Sequence, residues 1–141
     1  MQIQGIILNF VIMKLKFLEI DISKGKPKAT IHITGKLGFN MEAIEFMKLQ
    51  NKSSYLLATD EEKKDVFYLV ETDDDKKAAK VAKAGNYYYL NVADAFEVMK
   101  YDYKTFTIMF DITKDTYEGK DLYVFTKKRE IKRKEKVDDI L

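Results

Sequence analysis

Residues 34–49, TGKLGFNMEAIEFMKL, set out a pattern that residues 84–101, AGNYYYLNVADAFEVMKY, repeat about fifty residues later. In each stretch a glycine precedes a short apolar segment, an asparagine follows, and a run with helical spacing comes next. Alternating, strand-like runs flank both copies, so each copy reads as strand, short strand, helix, strand, strand. Because one such unit cannot bury its apolar side alone, the repetition predicts two units packed face to face.

The rest of the chain extends this interpretation to a small α+β protein, mostly β, made of two βαββ repeats in a pseudo-dimeric barrel or sandwich. We place an N-terminal extension and a first strand at 1–27, and the first repeat at 28–72. A linker at 73–78 leads to the second repeat at 79–126. A basic tail, helical or loosely ordered, is expected at 127–141.

Local signals refine these boundaries. Alternation over 14–22 and again over 29–34, on either side of a turn, predicts a hairpin. Asn40 and Asn91 precede the two helical runs and are good N-cap residues. We expect the second helix to continue to about Lys100.

Composition bounds the class of protein. The chain has 141 residues, 46% of them hydrophobic, and no cysteine, which excludes disulfides and thiolate metal sites. Residues 1–13 are uncharged, but this run is too short to span a bilayer, and Lys14 and Lys16 follow it, which is the wrong order for a signal peptide. We expect a cytoplasmic protein without membrane contact, and we favour Met13 as the natural start.

Charge is uneven along the chain. Residues 127–141 contain seven basic and four acidic residues, a balance of +3, whereas 1–126 contain eighteen basic and nineteen acidic, a balance of −1. The tail is therefore the strongest signal for an anionic partner, and its basic residues are Lys127, Lys128, Arg129, Lys132, Arg133, Lys134 and Lys136. The alternative is a solvated terminal helix with local pairs such as Glu130–Lys134.

The order of elements, with Gly35-Lys36 opening the short strand and Leu49 ending the helix, resembles the AbrB/MazE swapped-hairpin family. The likeness covers roughly 28–126, as two tandem degenerate copies. It departs from the family pattern at Asn40 and at Leu90-Asn91, where proline usually precedes the helix, and at Lys36 and Asn86, where arginine usually follows the glycine.

The resemblance implies a DNA-binding protein that uses basic residues around the first hairpin. Carried over by position, it implicates Lys28, His32 and Lys36 in the first copy. In the second copy Lys80 and Lys83 match the strand. Because a fold hosts many functions, the same likeness also suits a plain interaction domain.

Aromatic residues offer a second kind of contact. Tyr87 and Tyr89 share one face of a strand and Tyr88 takes the other, so at least one ring is expected to be exposed. Exposed rings beside lysines can stack on unpaired bases. The alternative is that these tyrosines contribute core area to a strand.

Catalysis is not indicated by the sequence. His32 is the single histidine, and its phase places it toward solvent, as a plain surface residue or a phosphate contact. The acidic runs 60–65 and 73–75 lack calcium-loop spacing and suit solvated hairpin loops. We therefore predict no enzyme, no metal, no cofactor and no small-molecule substrate.

The function predicted is non-catalytic DNA binding. Low sequence specificity is expected because bidentate reading of bases depends largely on arginine, and the chain has only two arginines. A regulatory role is left open. One alternative is a structural or oligomerisation protein of a phage or mobile element, which the near-neutral body favours. A second alternative is a single-stranded nucleic-acid binder. Homo-oligomerisation is left open.

Overall fold

A computed structural model describes residues 13–18, 25–74 and 76–134. Its described part is mostly β, as the sequence predicts. In chain order the elements are β1 (Lys28–Ile31), β2 (Lys36–Phe39), α1 (Met41–Met47), β3 (Ser54–Thr59), β4 (Val66–Thr72), β5 (Ala79–Ala84), β6 (Tyr87–Asn91), α2 (Ala93–Val98), β7 (Phe106–Tyr117) and β8 (Lys120–Lys132).

The strands close into one antiparallel barrel in the order β1–β2–β6–β5–β3–β4–β8–β7, with β7 returning to β1. The hairpin β1–β2 lies between β7 and β6. The hairpin β5–β6 lies between β2 and β3. Each hairpin thus has both of its neighbours in the other half of the chain.

Aromatic side chains fill the barrel around Phe67. Its ring stacks on Phe125 with centroids 4.6 Å apart and planes 11° apart, and it meets Phe96 and Phe110 edge to face at 5.5 and 5.0 Å. All four rings are fully buried. Since successive side chains of a strand point to opposite faces, this core also decides which residues point outward.

Helix α1 begins at Asn40, as predicted. The Asn40 side-chain oxygen accepts hydrogen bonds from the backbone N–H of Ala43 at 2.8 Å and of Lys28 at 3.0 Å. Its side-chain nitrogen donates to the carbonyl oxygen of Lys26 at 2.9 Å. One asparagine therefore caps the helix and fixes the start of β1 beside it.

The second helix differs from the prediction at both ends. Asn91 is the last residue of β6, opposite Lys36 in the β2–β6 ladder, so its backbone is held extended. Val92 is the N-cap and forms no side-chain capping bond. The helix ends at Val98 rather than near Lys100.

The prediction of a separate basic tail from residue 127 is wrong for the described residues. Strand β8 continues to Lys132, opposite Phe106 at the start of β7. A bulge between Met109 and Phe110 shifts the register there, which lets the ladder continue. The first six tail residues are therefore part of the barrel wall.

The predicted N-terminal strand is also not observed in its described part. Residues 13–18 have no regular secondary structure, and Met13, Leu15, Phe17 and Leu18 are exposed. The partners of β1 are β2 and β7, so the expected hairpin with 14–22 is not formed. Residues 19–22 of that strand, and the 1–12 segment on which the choice of Met13 as start depends, lie outside the described residues.

Candidate nucleic-acid interface

We call the solvent side of β1, β2 and β6 the outer face. Its side chains include those of Lys28, His32, Lys36, Tyr87 and Tyr89. Its orientation follows from the core, because the alternate residues of these strands are buried. These buried residues are Ala29, Ile31, Leu37 and Leu90. The barrel thus places His32 and Lys36 beside two of the predicted tyrosines, and Lys28 on β1 next to β7.

The turn between β1 and β2 brings His32 and Lys36 together. The backbone N–H of His32 donates to the carbonyl oxygen of Lys36 at 2.9 Å, and that of Gly35 donates to His32 at 2.8 Å. Gly35 has φ +87°, a left-handed conformation that glycine adopts without strain. A Cβ at this position would also overlap Ala93 and the ring of Tyr103.

Gly38 makes room for the aromatic part of the outer face. A Cβ at Gly38 would overlap the hydroxyl of Tyr87 and lie 2.6 Å from Nε2 of His32. The absence of a side chain therefore lets both groups lie directly over the β2 backbone. The rings of His32 and Tyr87 meet edge to face, with centroids 5.8 Å apart.

Tyr87 and Tyr89 form a ring pair. Their centroids are 5.7 Å apart and their planes differ by 25°. Tyr87 is 37% exposed, and Tyr89 is half-buried. The ammonium of Lys36 lies over the ring of Tyr89, 4.6 Å from its centroid, in cation–π geometry.

The environment of the histidine on this face favours its neutral form. Burial lowers the pKa of His32 below its ordinary value of 6.5, and the nearby charge of Arg133 lowers it further. A neutral imidazole can exchange a hydrogen bond with a ligand but brings no charge to a phosphate. His32 packs edge to face against Tyr87 and is a weaker candidate for phosphate contact than Lys36.

Lys28 lies at the edge of the outer face and faces a counter-charge. It is half-buried on β1, directly opposite Asp111 in the ladder with β7. Opposite charges at such positions favour each other. Lys28 is thus a weaker candidate for phosphate contact than Lys36.

The basic residues in the second half of β8 and directly after it divide into two groups. Lys127 forms ion pairs with Asp65 at 3.4 Å and with Glu130, and hydrogen bonding to Glu130 is the main cause that raises its pKa. Arg133 donates from Nε to the carbonyl oxygen of Tyr103 at 2.9 Å. Both residues therefore have structural partners.

The second group faces solvent. Arg129 lies opposite Met109, and one cross-strand row continues from there through Thr30 and Gly38 to Tyr89. Lys128, Lys132 and Lys134 are exposed at the same end of the chain. Lys136 lies outside the described residues.

Sequence reasoning found the tyrosines but not the glycine beneath them. The alternation of 87–90 gave the face that Tyr87 and Tyr89 share. The role of Gly38 depends on side chains six residues before it and about fifty residues after it, so no local pattern signals it.

A cavity of about 590 Å³ opens at one end of the barrel, beside the Lys127 ion pairs. The Tyr101 hydroxyl is buried next to it and has no hydrogen-bond partner among the described residues. Burial, with the charges of Asp65 and Glu130, raises the pKa of Tyr101 to about 12. A phenol in this state is a neutral donor across the physiological range.

Metal-ligating side chains do not gather in the part of the chain that the structure describes, where no group of three or more His, Cys, Asp or Glu residues forms a candidate metal site. Among the same residues, no helix has the length and apolar character needed to cross a bilayer.

Comparison with protein-family models, with curated proteins and with solved structures gives no match. The function is therefore argued from the geometry of the outer face.

Proposed function

We propose that this protein binds nucleic acid without catalysing a reaction, and that the outer face and the exposed end of β8 form the contact surface. The observation that supports this most is the row from Arg129 through Thr30 to Tyr89. It crosses five neighbouring strands, so it spans about 19 Å along the barrel surface at the usual spacing between strands.

The chemistry of the row suits a polyanion. Arg129 and Lys36 supply positive charge near its two ends, and Lys128, next to Arg129, is also exposed. Contacts with phosphate oxygens position a nucleic acid without reading its sequence. Low sequence specificity follows from this arrangement.

We further propose that the barrel is a pseudo-two-fold pair of repeats of the swapped-hairpin kind. Exchanging β1 with β5, β2 with β6, β3 with β7 and β4 with β8 leaves the set of strand pairs unchanged. Leu37 of β2 and Leu90 of β6 are both fully buried and face each other in the ladder. The symmetry is broken on the outer face, where β2 has Lys36 and β6 has its tyrosines.

The test is a titration of labelled 20-mer DNA, as single and double strands, followed by fluorescence anisotropy from 50 to 300 mM salt. The variant Lys36→Gln/Arg129→Gln should bind more weakly and with a shallower salt dependence than the natural chain. The matched control is Lys63→Gln/Lys64→Gln, which removes the same charge from the β3–β4 loop and should change binding much less. Equal effects of the two double variants, or no binding by the natural chain at the lowest salt, would contradict the proposal.

A second candidate function, assembly, is favoured by one observation. Four apolar side chains of 13–18 are exposed in a six-residue segment, and such a patch is typical of an interaction surface. Sedimentation of the full chain and of Leu15→Ser/Phe17→Ser would test it. A concentration-dependent dimer that the variant abolishes supports assembly, and a monomer at all concentrations excludes it.

A further inference from the structure

We infer that Tyr87 is a stacking platform for an unpaired base, with Lys36 as the adjacent phosphate contact, so that the protein prefers single-stranded nucleic acid to duplex. The inference rests on the proposed function and specifies its ligand. The shared chemistry is an exposed base plane next to a phosphodiester, which single-stranded DNA and single-stranded RNA both offer.

The first step is that Tyr87 is exposed yet held in place. Its ring is 37% accessible, it leans on Tyr89 on one side, and its hydroxyl end lies over Gly38. The ring of His32 meets it edge-on at 5.8 Å. A ring fixed by three neighbours loses little conformational freedom when a ligand binds, which favours affinity.

The second step concerns the ammonium of Lys36. It lies 4.6 Å from the Tyr89 centroid, on the strand next to the tyrosine pair. A cation–π contact at an exposed site is weaker than stacking of a base on an aromatic side chain. An incoming nucleotide can therefore draw the ammonium from the ring to its phosphate while its base stacks on the tyrosine pair.

The third step distinguishes single strands from duplex. In a duplex the base planes are covered by their neighbours, and an enzyme or binder reaches them only after unstacking. A duplex therefore gains affinity from the phosphate contacts of the outer face but not from stacking on the tyrosine ring. Single strands present both the phosphates and the base planes, so they gain from both parts of the site.

The experiment compares four ligands of equal length: a single-stranded DNA 12-mer, the same DNA sequence with abasic sites, the RNA of that sequence, and the DNA duplex. The three single strands have equal backbone charge, and the duplex has twice that charge, so phosphate contacts alone would favour the duplex. Full-length protein is titrated into each by fluorescence anisotropy at 100 mM salt. We expect the single strand to bind at least tenfold more tightly than the abasic strand and the duplex. The DNA and RNA arms identify which polymer is preferred.

The variant Tyr87→Leu keeps apolar bulk and removes the ring. It should weaken single-strand binding by about fivefold to 150-fold and leave abasic binding unchanged. Tyr117→Leu, at an exposed tyrosine on the far end of β7, is the matched control and should not change either. Lys36→Gln is the second variant and should weaken binding to all four ligands. It should also reduce the slope of log K against log salt concentration by about 1, the contribution of one phosphate contact.

The outcomes separate the two levels. If the abasic strand and the duplex bind the natural chain as tightly as the intact single strand or more tightly, and Tyr87→Leu binds like the natural chain, the stacking inference is wrong and the proposed phosphate-binding function stands. If the natural chain binds none of the four ligands even when the titration is repeated at 50 mM salt, the proposed function fails and the stacking inference fails with it.

Discussion

Nη2 of Arg133 donates a hydrogen bond to the backbone carbonyl oxygen of Ile31 at 3.2 Å, across 102 residues of sequence. The same guanidinium donates from Nε to the carbonyl oxygen of Tyr103, and the Arg133 backbone N–H donates to Thr105. One arginine thus joins the residue after β8 to the end of β1 and to the loop between α2 and β7. Its role is to fix the turn end of the first hairpin.

Replacing Arg133 should therefore destabilise the fold. We expect Arg133→Ala to lower the free energy of unfolding by about 2 kcal/mol, because two charge-assisted bonds to backbone oxygens are lost. Urea unfolding measures this change. Lys134→Ala, one residue further on and exposed, should stay within about 0.5 kcal/mol of the natural chain, and equal losses in both variants would rule out the assigned role.

Gly38→Ala should disturb the outer face more than the core. The added methyl group meets the ends of two side chains, Tyr87 and His32, which can rotate away. We expect a loss of stability of about 1–3 kcal/mol, a changed near-ultraviolet circular dichroism signal from the tyrosines, and weaker single-strand binding. An unchanged tyrosine signal would show that Gly38 does not position Tyr87.

The single histidine gives a direct titration. The pKa of His32 is lowered in the folded state, so below pH 6.5 the unfolded chain takes up a proton first and stability falls as the pH falls. Above that value the imidazole is neutral in both states and contributes no pH dependence. The imidazole resonance in NMR should titrate with a midpoint below 6.5, and the midpoint should move toward 6.5 in Arg133→Ala, since a repelling charge is removed. A midpoint above 6.5 would contradict the burial described here.

The Tyr101 hydroxyl should lose its proton only at high pH, and the fold should tolerate the loss of this hydroxyl. Its pKa of about 12 means that tyrosinate is disfavoured in the folded state, so stability is full below pH 10 and falls as the pH rises from 10 toward 12. Tyr101→Phe should flatten this decline. At pH 7 it should match the natural chain or exceed its stability by about 1 kcal/mol, because a buried hydroxyl without a partner among the described residues is removed. A loss of more than about 1 kcal/mol would reveal a bond that the hydroxyl makes.

Ending the chain within β8 should destabilise the barrel, because nearly half of the wall between β7 and β8 is lost. A chain ending at Thr126 loses the partners of 106–110 in β7, whereas a chain ending at Lys134 keeps them. We expect the longer chain to unfold cooperatively and the shorter one to lose its cooperative transition, as followed by circular dichroism on heating. Cooperative unfolding of both would mean that residues 127–132 are dispensable to the barrel.

Much of the fold could be predicted because its elements have local signals. Asn40 caps α1 through a bond to a residue three positions away, and the alternation of 106–112 identifies the buried face of β7. Residues 127–132 lack that alternation, since four of the six are basic. Their strand conformation comes from the partner β7, which a local pattern does not reveal. The sequence predicts a helix cap at Asn91, whereas Asn91 lies in β6. Its ladder partner, Lys36, is distant in sequence, so a local pattern does not reveal the strand there either.

The site was predicted in part. Lys36 is a candidate through the resemblance to the swapped-hairpin family, and the shared face of Tyr87 and Tyr89 follows from period-two alternation. The basic residues of β8 looked equivalent in sequence, yet Lys127 and Arg133 are engaged by Asp65 and by backbone oxygens far along the chain. Charge composition therefore overestimated how many cations are available to a ligand.

The interleaving of the two hairpins also governs when this chain can fold. Strand β1 needs β7, and β2 needs β6, so the first seventy residues to leave the ribosome contain a hairpin with neither of its neighbours. Pairings between such distant segments are slow to form, since the closure of long loops must precede any gain from contact. Closure of the barrel must therefore wait until β6 and β7 have been synthesised. Until then the edges of the first hairpin are exposed, and the nascent chain is most vulnerable to aggregation at this stage.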